Sequence, residues 1–410
     1  MRIDLTLLER RLDELYAIGA EPGGGAYRPL YGEAWAVACD RVEHWMREAE
    51  LTVHRDAVGN VWGRLEGSRD AGGGKAVVTG SHIDTVRRGG RLDGALGIVA
   101  GLGAVQALKA EYGAPKRPLE VLVVCEEEGS RFNTNFWGSR AIVGAIQSGE
   151  ADRWRDAAGV TLAQAMRERG LDPSHISAAT RTDLDAFVEL HIEQGSVLES
   201  ADVPLGVVTT IAGGVHLQVT VIGRADHAGT TPMDLRLDAL VGAAAMVEAI
   251  AHCAAVEGRP AVATVGKLRV EPDQINVVPG RVVFTVDLRH AELEACRNLT
   301  QGVRRVCETL ATERGLGIEI TTLHERPPVP MHADIRTGIE AAAAKEDVTA
   351  MALVSGAGHD AQILASRCRV GMLFVPSNDG RSHCPEEATD LADLELGTRV
   401  LARTLERLAY

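Results

Sequence analysis

The chain has 410 residues, 45% of them hydrophobic, 24% charged and 4% aromatic, with a formal net charge of −14. That length exceeds one ordinary core and predicts two domains. The acidic balance argues against a nucleic-acid partner, because the basic clusters (Arg87, Arg88 and Arg91; Arg304 and Arg305) are too short and scattered to meet phosphates.

The N-terminal MRIDLTLLERRLDELYAIG carries charges through an amphipathic helical pattern and does not read as a secretory signal. No apolar run reads as approaching the ~20 residues of a membrane span, so no membrane partner is expected. Seven cysteines (39, 125, 253, 296, 307, 368 and 384) are odd in number, widely spaced and without a CxxC pair. They suit reduced thiols in a cytoplasmic chain. The glycine stretches at 23–25 and 72–74 read as loops.

Up to about residue 206, strand-like segments (75–79, 119–124, 187–190) alternate with helix-like ones (94–109, 162–169), the pattern of an α/β layer. From about 212 the rhythm changes. VHLQVTVIG alternates as a half-buried strand does, and LRLDALVGAAAMVEAIAH reads as a helix. AVATVGKLRV and VVFTVDLRH are two strands, LEACRNLTQGVRRVCETLATERG a helix and IEITTL a last strand. After about 328 the α/β style returns, with a helix near 335–345, apolar MALV and the strand GMLFVP. The fold class is α/β. Residues 1–211 and 328–410 form one domain, interrupted by an inserted βαββαβ (ferredoxin-like) domain at 212–327.

The acidic and imidazole residues fall at recurrent places in this layout. Glu126, Glu127 and Glu128 follow the apolar run Val121–Val124, where adjacent carboxylates repel unless a cation lies among them. His82 and Asp84 lie just beyond a strand, Asp93 in a Gly-rich turn, His191 at a strand end and His383 after the last strand. Ligand sites of open α/β sheets gather at such carboxyl ends. Imidazole and carboxylate without thiolate suit a co-catalytic pair of divalent ions, Zn, Mn, Co or Ni, that polarises a carbonyl and activates water. A lone histidine at a strand end is more often structural; the ordered set is what carries the reading.

GSHIDTVRRGGRLDGALG, EEEGSRF, HIEQG, DHAGTTPM, INVVPG, SGAGHDA and SHCPEE, in this order over about residues 75–395, together resemble the M20-type metallopeptidase superfamily. The closest likeness is to its amidohydrolase branch of N-carbamoyl-L-amino acid hydrolases, allantoate amidohydrolases and β-ureidopropionases. The resemblance implies two divalent ions, one on His82, Asp93 and His191, the other on Asp93, Glu128 and His383, with Asp93 bridging. It implies Glu127 as general base and Asp84 as the carboxylate that orients the His82 imidazole. The insert resembles the family's lid and dimerisation domain. There His227 would hold the oxyanion, and Asn276 and Arg289 would grip a substrate carboxylate, which a guanidinium fork binds well. Gln194, Gly358 and His359 would line the site.

Superfamily peptidases usually carry a carboxylate where this chain has His191, which favours the carbamoyl/ureido branch. The chain departs from relatives at Gly214, Val215 and His216, where Gln-Arg-Arg is common, at Cys125 and Glu126, and at Arg381 and Cys384 around His383. Glu126 itself is expected to face solvent or to cap the following turn. The expected activity is hydrolysis of N-carbamoyl-L-amino acids to the L-amino acid, CO2 and NH3, in a homodimer formed through the insert. Allantoate is the alternative substrate, followed by β-ureidopropionate or, in a di-zinc aminopeptidase, a dipeptide. A metal-free scaffold that kept the fold is the remaining competitor.

Overall fold

The structure is a computed structural model that describes residues 1–68 and 74–410; residues 72 and 73 of the second glycine stretch lie outside the described residues. The chain folds into two compact units. One comprises Met1–Thr209, Met331–Leu353 and Gly358–Tyr410, the other Thr210–Pro330 and Val354–Ala357.

The first unit is built on a mixed sheet. Its strands run in the order Thr52–Arg55, Val61–Leu65, Leu119–Val124, Ala76–His82, Leu184–Ile192, Arg369–Val375 and Gly206–Ile211. The four from Leu119–Val124 to Arg369–Val375 are mutually parallel, and antiparallel strands flank them on both sides. Leu119–Val124 and Ala76–His82 are buried at every residue, which explains their near-continuous apolar sequence. Helix Ala95–Tyr112 packs on Ala76–His82, and the C-terminal helix Leu391–Ala409 packs on both that helix and Leu184–Ile192. Val99, Leu102, Leu190, Leu401 and Leu405 meet in the resulting core. Each such side chain contributes about 1.5–3 kcal/mol by leaving water.

The second unit is a four-stranded antiparallel sheet in the order Gly317–Arg326, Gly213–Ile222, Arg281–His290, Val262–Glu271. Helices Ala239–Glu257 and Leu293–Glu313 join its strands in the succession βαββαβ. The alternation of VHLQVTVI has a direct physical reading here. Val215, Leu217, Val219 and Val221 are buried with Phe284, Val286, Met246 and Val303, while His216 and Gln218 point to the other face. One expectation fails in this unit. Helix Ala239–Glu257, 19 residues with mean hydropathy 1.8, is long and apolar enough to cross a bilayer by length and composition. Its alanine-rich sequence dilutes Glu248 and His252, and a core helix meets the same measure: Ala243, Met246 and Ile250 pack into the unit's core.

Candidate metal centre

The four parallel strands end at one edge of the first unit's sheet, and the ligand-type residues leave from those ends. His82 closes its strand, and Asp93 sits in the turn that opens helix Ala95–Tyr112. Glu127 and Glu128 follow Leu119–Val124, His191 is the penultimate residue of Leu184–Ile192, and His383 lies in the loop beyond Arg369–Val375. Parallel pairing makes this edge common to all of them, because every such strand delivers its C-terminal residue to the same side.

Asp93 is the centre of the cluster. Its Oδ1 lies 3.3 Å from His82 Nε2 and 3.3 Å from His191 Nε2, and its Oδ2 lies 3.0 Å from His383 Nε2. His383 Nε2 is also 3.2 Å from Glu128 Oε1. Two groups of possible ligand atoms, His82/Asp93/His191 and Asp93/Glu128/His383, therefore share one carboxylate, and within each group the atoms lie within 4.8 Å of one another. His82 with Glu127 and Glu128, and Glu189 with His191 and His359, satisfy the same distance.

The imidazole orientations bear on whether a cation fits. His82 Nδ1 is 3.1 Å from the main-chain oxygen of Asp84, and His191 Nδ1 is 2.9 Å from that of Ile192. A carbonyl only accepts, so Nδ1 carries a proton, and a neutral ring would turn its Nε2 lone pair toward Asp93. His191 Nε2 also faces the Gly94 N–H at 3.4 Å, whereas a His82 lone pair aimed at a carboxylate oxygen calls for a positive charge between them, a proton on the ring or a metal ion. Nitrogen and oxygen donors without thiolate fit Zn, Mn, Co or Ni.

The orienting atom behind His82 is thus the Asp84 main-chain carbonyl. The Asp84 carboxylate, expected from the sequence to hold the imidazole, stands 3.9 Å from Nδ1. Its oxygens instead accept from the Glu127 and Glu128 main-chain N–H groups, each at 3.1 Å, and so fix the turn that presents both glutamates. Glu126 takes the second of its two expected places. It is fully buried, not solvent-facing. Its carboxylate accepts from Ser130 Oγ at 2.6 Å and from the Arg131 and Phe132 N–H groups at 3.1 and 3.2 Å, which caps the next turn.

Electrostatics separate the carboxyls. Burial pushes Asp93 up, but the hydrogen bonds from His191, His383 and His82 outweigh it and hold the group well below the usual carboxylate range. Burial drives Glu127 well above that range; His82 opposes the shift while Glu128, Asp360 and Asp84 reinforce it. A carboxylate that stays ionised beside a carboxyl that burial makes readier to hold a proton is the pairing acid–base chemistry needs.

Gln194 donates from Nε2 to Asp93 Oδ2 at 2.9 Å and lies 3.4 Å from His383 Nε2, within the cluster. Gln194, His383 and Glu126 have φ of +59°, +56° and +56°, a left-handed conformation uncommon outside glycine and typical of functional turns. His359, which follows Gly358, is buried with its ring 4.7 Å from that of His191. Burial and the neighbouring His191 hold it well below the usual imidazole range.

His227, Asn276 and Arg289 belong to the second unit. His227 is exposed, and its Nδ1 accepts from the Gly229 and Thr230 N–H groups at 3.0 and 3.2 Å, so the neutral ring bears its proton on Nε2. Asn276 is exposed, and its main-chain oxygen accepts from Ala228 N–H at 2.9 Å. Arg289 is held by Asp287, Nε to Oδ1 at 3.1 Å and Nη2 to Oδ2 at 2.7 Å, while Nη1 donates to Gly356 O at 2.6 Å.

Several residues about the centre escaped the sequence reading. Glu189 is fully buried and accepts from Ser81 Oγ at 2.6 Å. Its signal was available, since two residues before His191 on a strand is the same face. Asp360, raised to about 7 by burial and by Glu189, follows directly on His359. Ser382 and Glu387 are the first and last residues of the quoted SHCPEE stretch, yet no pattern in the sequence singled them out.

A mixed sheet whose four parallel strands gather three imidazoles and two carboxylates of the candidate ligand groups at their carboxyl ends defines an α/β protein with a candidate metal centre. The chain belongs to peptidase family M20/M25/M40, which it matches over residues 78–407. It is 40% identical to an allantoate amidohydrolase of Bacillus subtilis, over 97% of this chain and 96% of that protein. It is 41% identical to an N-carbamoyl-L-amino acid amidohydrolase of Geobacillus stearothermophilus, over 98% of each. The solved structure of a hydantoinase/carbamoylase-family amidase from Burkholderia multivorans superposes with a TM-score of 0.92 at 33% identity, covering 100% of this chain and 98% of that one.

Proposed function

We propose that the protein is a metal-dependent amidohydrolase of carbamoyl or ureido C–N bonds, with N-carbamoyl-L-amino acids as the leading substrates and allantoate as the second reading. The observation that carries it is the pair of ligand groups sharing Asp93 beside a buried, protonatable Glu127. The names of its relatives favour both substrates about equally.

His82, Asp93 and His191 would hold one divalent ion, and Asp93, Glu128 and His383 a second, with Zn, Mn, Co or Ni as candidates. Bound there, the ions would supply Lewis-acid polarisation of the scissile carbonyl and lower the pKa of water. Glu127 takes the proton of the attacking water and delivers it to the departing nitrogen, which its raised pKa permits. The proton on His227 Nε2 is the one we assign to the developing oxyanion. Arg289, pre-set by Asp287, and Asn276 are assigned to the substrate carboxylate, and Gln194, Gly358 and His359 to lining the site. The inserted unit is assigned to lid closure and homodimer formation, and the protein to the cytoplasm.

Metal-replete protein assayed against carbamoyl amino acids, allantoate, β-ureidopropionate and a dipeptide tests this reading. Release of ammonia from a carbamoyl or ureido compound is expected. Dipeptide cleavage alone, or no turnover of any of them, would overturn it.

A further inference from the structure

We infer that Glu387 is a positioning residue of the metal centre, fastening the turn that carries Asp93 to the loop that carries His383. The inference rests on reading the cluster as a metal centre and is independent of the choice of substrate. Glu387 is 5% exposed. Its Oε1 accepts from two successive main-chain N–H groups, Leu92 at 2.7 Å and Asp93 at 3.0 Å, 295 and 294 residues away in the chain. Its Oε2 lies 2.8 Å from the hydroxyl of Ser382, the residue before His383, and that hydroxyl is also 3.1 Å from Asp93 Oδ2. One carboxylate therefore holds both the backbone that aims Asp93 and the side chain of the residue next to His383.

The local sequence is shaped around this clamp. Gly90, three residues before Asp93, has no room for a side chain, because a Cβ there would overlap the Glu387 carboxyl. Asp93 is the only residue common to both candidate ligand groups, so a small rotation of its carboxylate disturbs both at once. Bonds between charged acceptors and main-chain N–H are strong, and metal sites depend on such outer partners for ligand aim. A carboxylate that merely closed a loop would affect folding stability and leave metal affinity untouched. The two roles separate by experiment.

The measurement is a chelator-competition titration of Zn²⁺ or Mn²⁺ into the full-length, chelator-stripped protein, with circular dichroism recorded on each variant. Glu387→Ala is expected to weaken metal binding by about 10–100-fold, the range for lost outer partners. Glu387→Gln keeps the amide oxygen that accepts from Leu92 and Asp93, and is expected to restore affinity to within a few-fold of the parent. Gly90→Ala, which displaces Glu387 without removing it, is expected to resemble Glu387→Ala. A folded Glu387→Ala protein with parental affinity overturns the inference, as does a Glu387→Gln protein as impaired as Glu387→Ala. If Glu387→Ala does not fold, parental affinity in Gly90→Ala overturns it. A parent that binds no metal overturns the metal-centre reading itself, a result distinct from tight parental binding that the variants leave unchanged.

Discussion

Because His82 and His191 donate Nδ1–H to main-chain carbonyls, their Nε2 atoms are committed to whatever sits beside Asp93 Oδ1. His383 is less constrained, and the Asp93 and Glu128 carboxylates raise it to about 11. Its folded pKa thus lies above the ~6.5 of an unfolded chain. In chelated protein the stabilisation from its imidazolium is fully present below about pH 6.5 and is lost as pH rises toward about 11. A metal ion competes for the same nitrogen, so metal affinity should rise over that window. Thermal midpoints of chelated parent and His383→Ala, followed from pH 6 to 10, should converge as pH increases; a gap that widens would contradict the assignment. Glu127→Gln removes only the proton carrier. It should lower kcat by about 10²–10⁴-fold while stoichiometric metal is retained, and unimpaired turnover would remove Glu127 from the chemistry.

At the scale of elements, the joint between strand Ala76–His82 and helix Ala95–Tyr112 sets the geometry. Gly94 opens the helix with φ +66° and ψ −47°, and a Cβ there would lie 2.6 Å from His82 Nδ1. Gly94→Ala should cost roughly 1–3 kcal/mol in backbone strain and weaken metal binding by pushing His82 aside; a denaturant melt and a metal titration that both match the parent would contradict this. The elements that carry the ligands were legible for a related reason. Leu119–Val124 is a short apolar run bounded by Pro118 and the glutamate triplet, and the structure has the strand over those same residues. Leu184–Ile192 reads shorter, as 187–190, because Asp185 and His191 interrupt its apolar pattern at either end. Glu189 is nevertheless buried, held by Ser81, and only the fold supplies that partner. Ser382 and Glu387 were illegible for the same cause: their hydrogen-bond partners in the Leu92–Asp93 turn lie 289–295 residues away and leave no spacing to read.

At the scale of the molecule, the inserted unit presents apolar surface that its own core does not use. On helix Ala239–Glu257, Val241 is 56% and Val256 72% exposed, and Val262 and Leu268 of strand Val262–Glu271 are 47% and 46% exposed. That strand is an edge of its four-stranded sheet, with one side unpaired among the described residues. Edge strands with free N–H and C=O groups invite a partner, and natural proteins usually blunt them with charge or cover them. Here Lys267 and Arg269 lie on the same strand as the exposed Val262 and Leu268, so the edge is only partly blunted. Pairing with the same strand of a second copy would satisfy the backbone groups and bring the two apolar helices together, an isologous contact of the commonest kind. Sedimentation velocity should therefore find a dimer of about 87 kDa, twice the 43.7 kDa chain. The double variant Val241→Glu/Val256→Glu should shift it to monomer at micromolar concentration, since two buried carboxylates without partners oppose association. A parent that stays monomeric, or a variant that remains dimeric, would place the association surface elsewhere and leave the exposed valines without a partner.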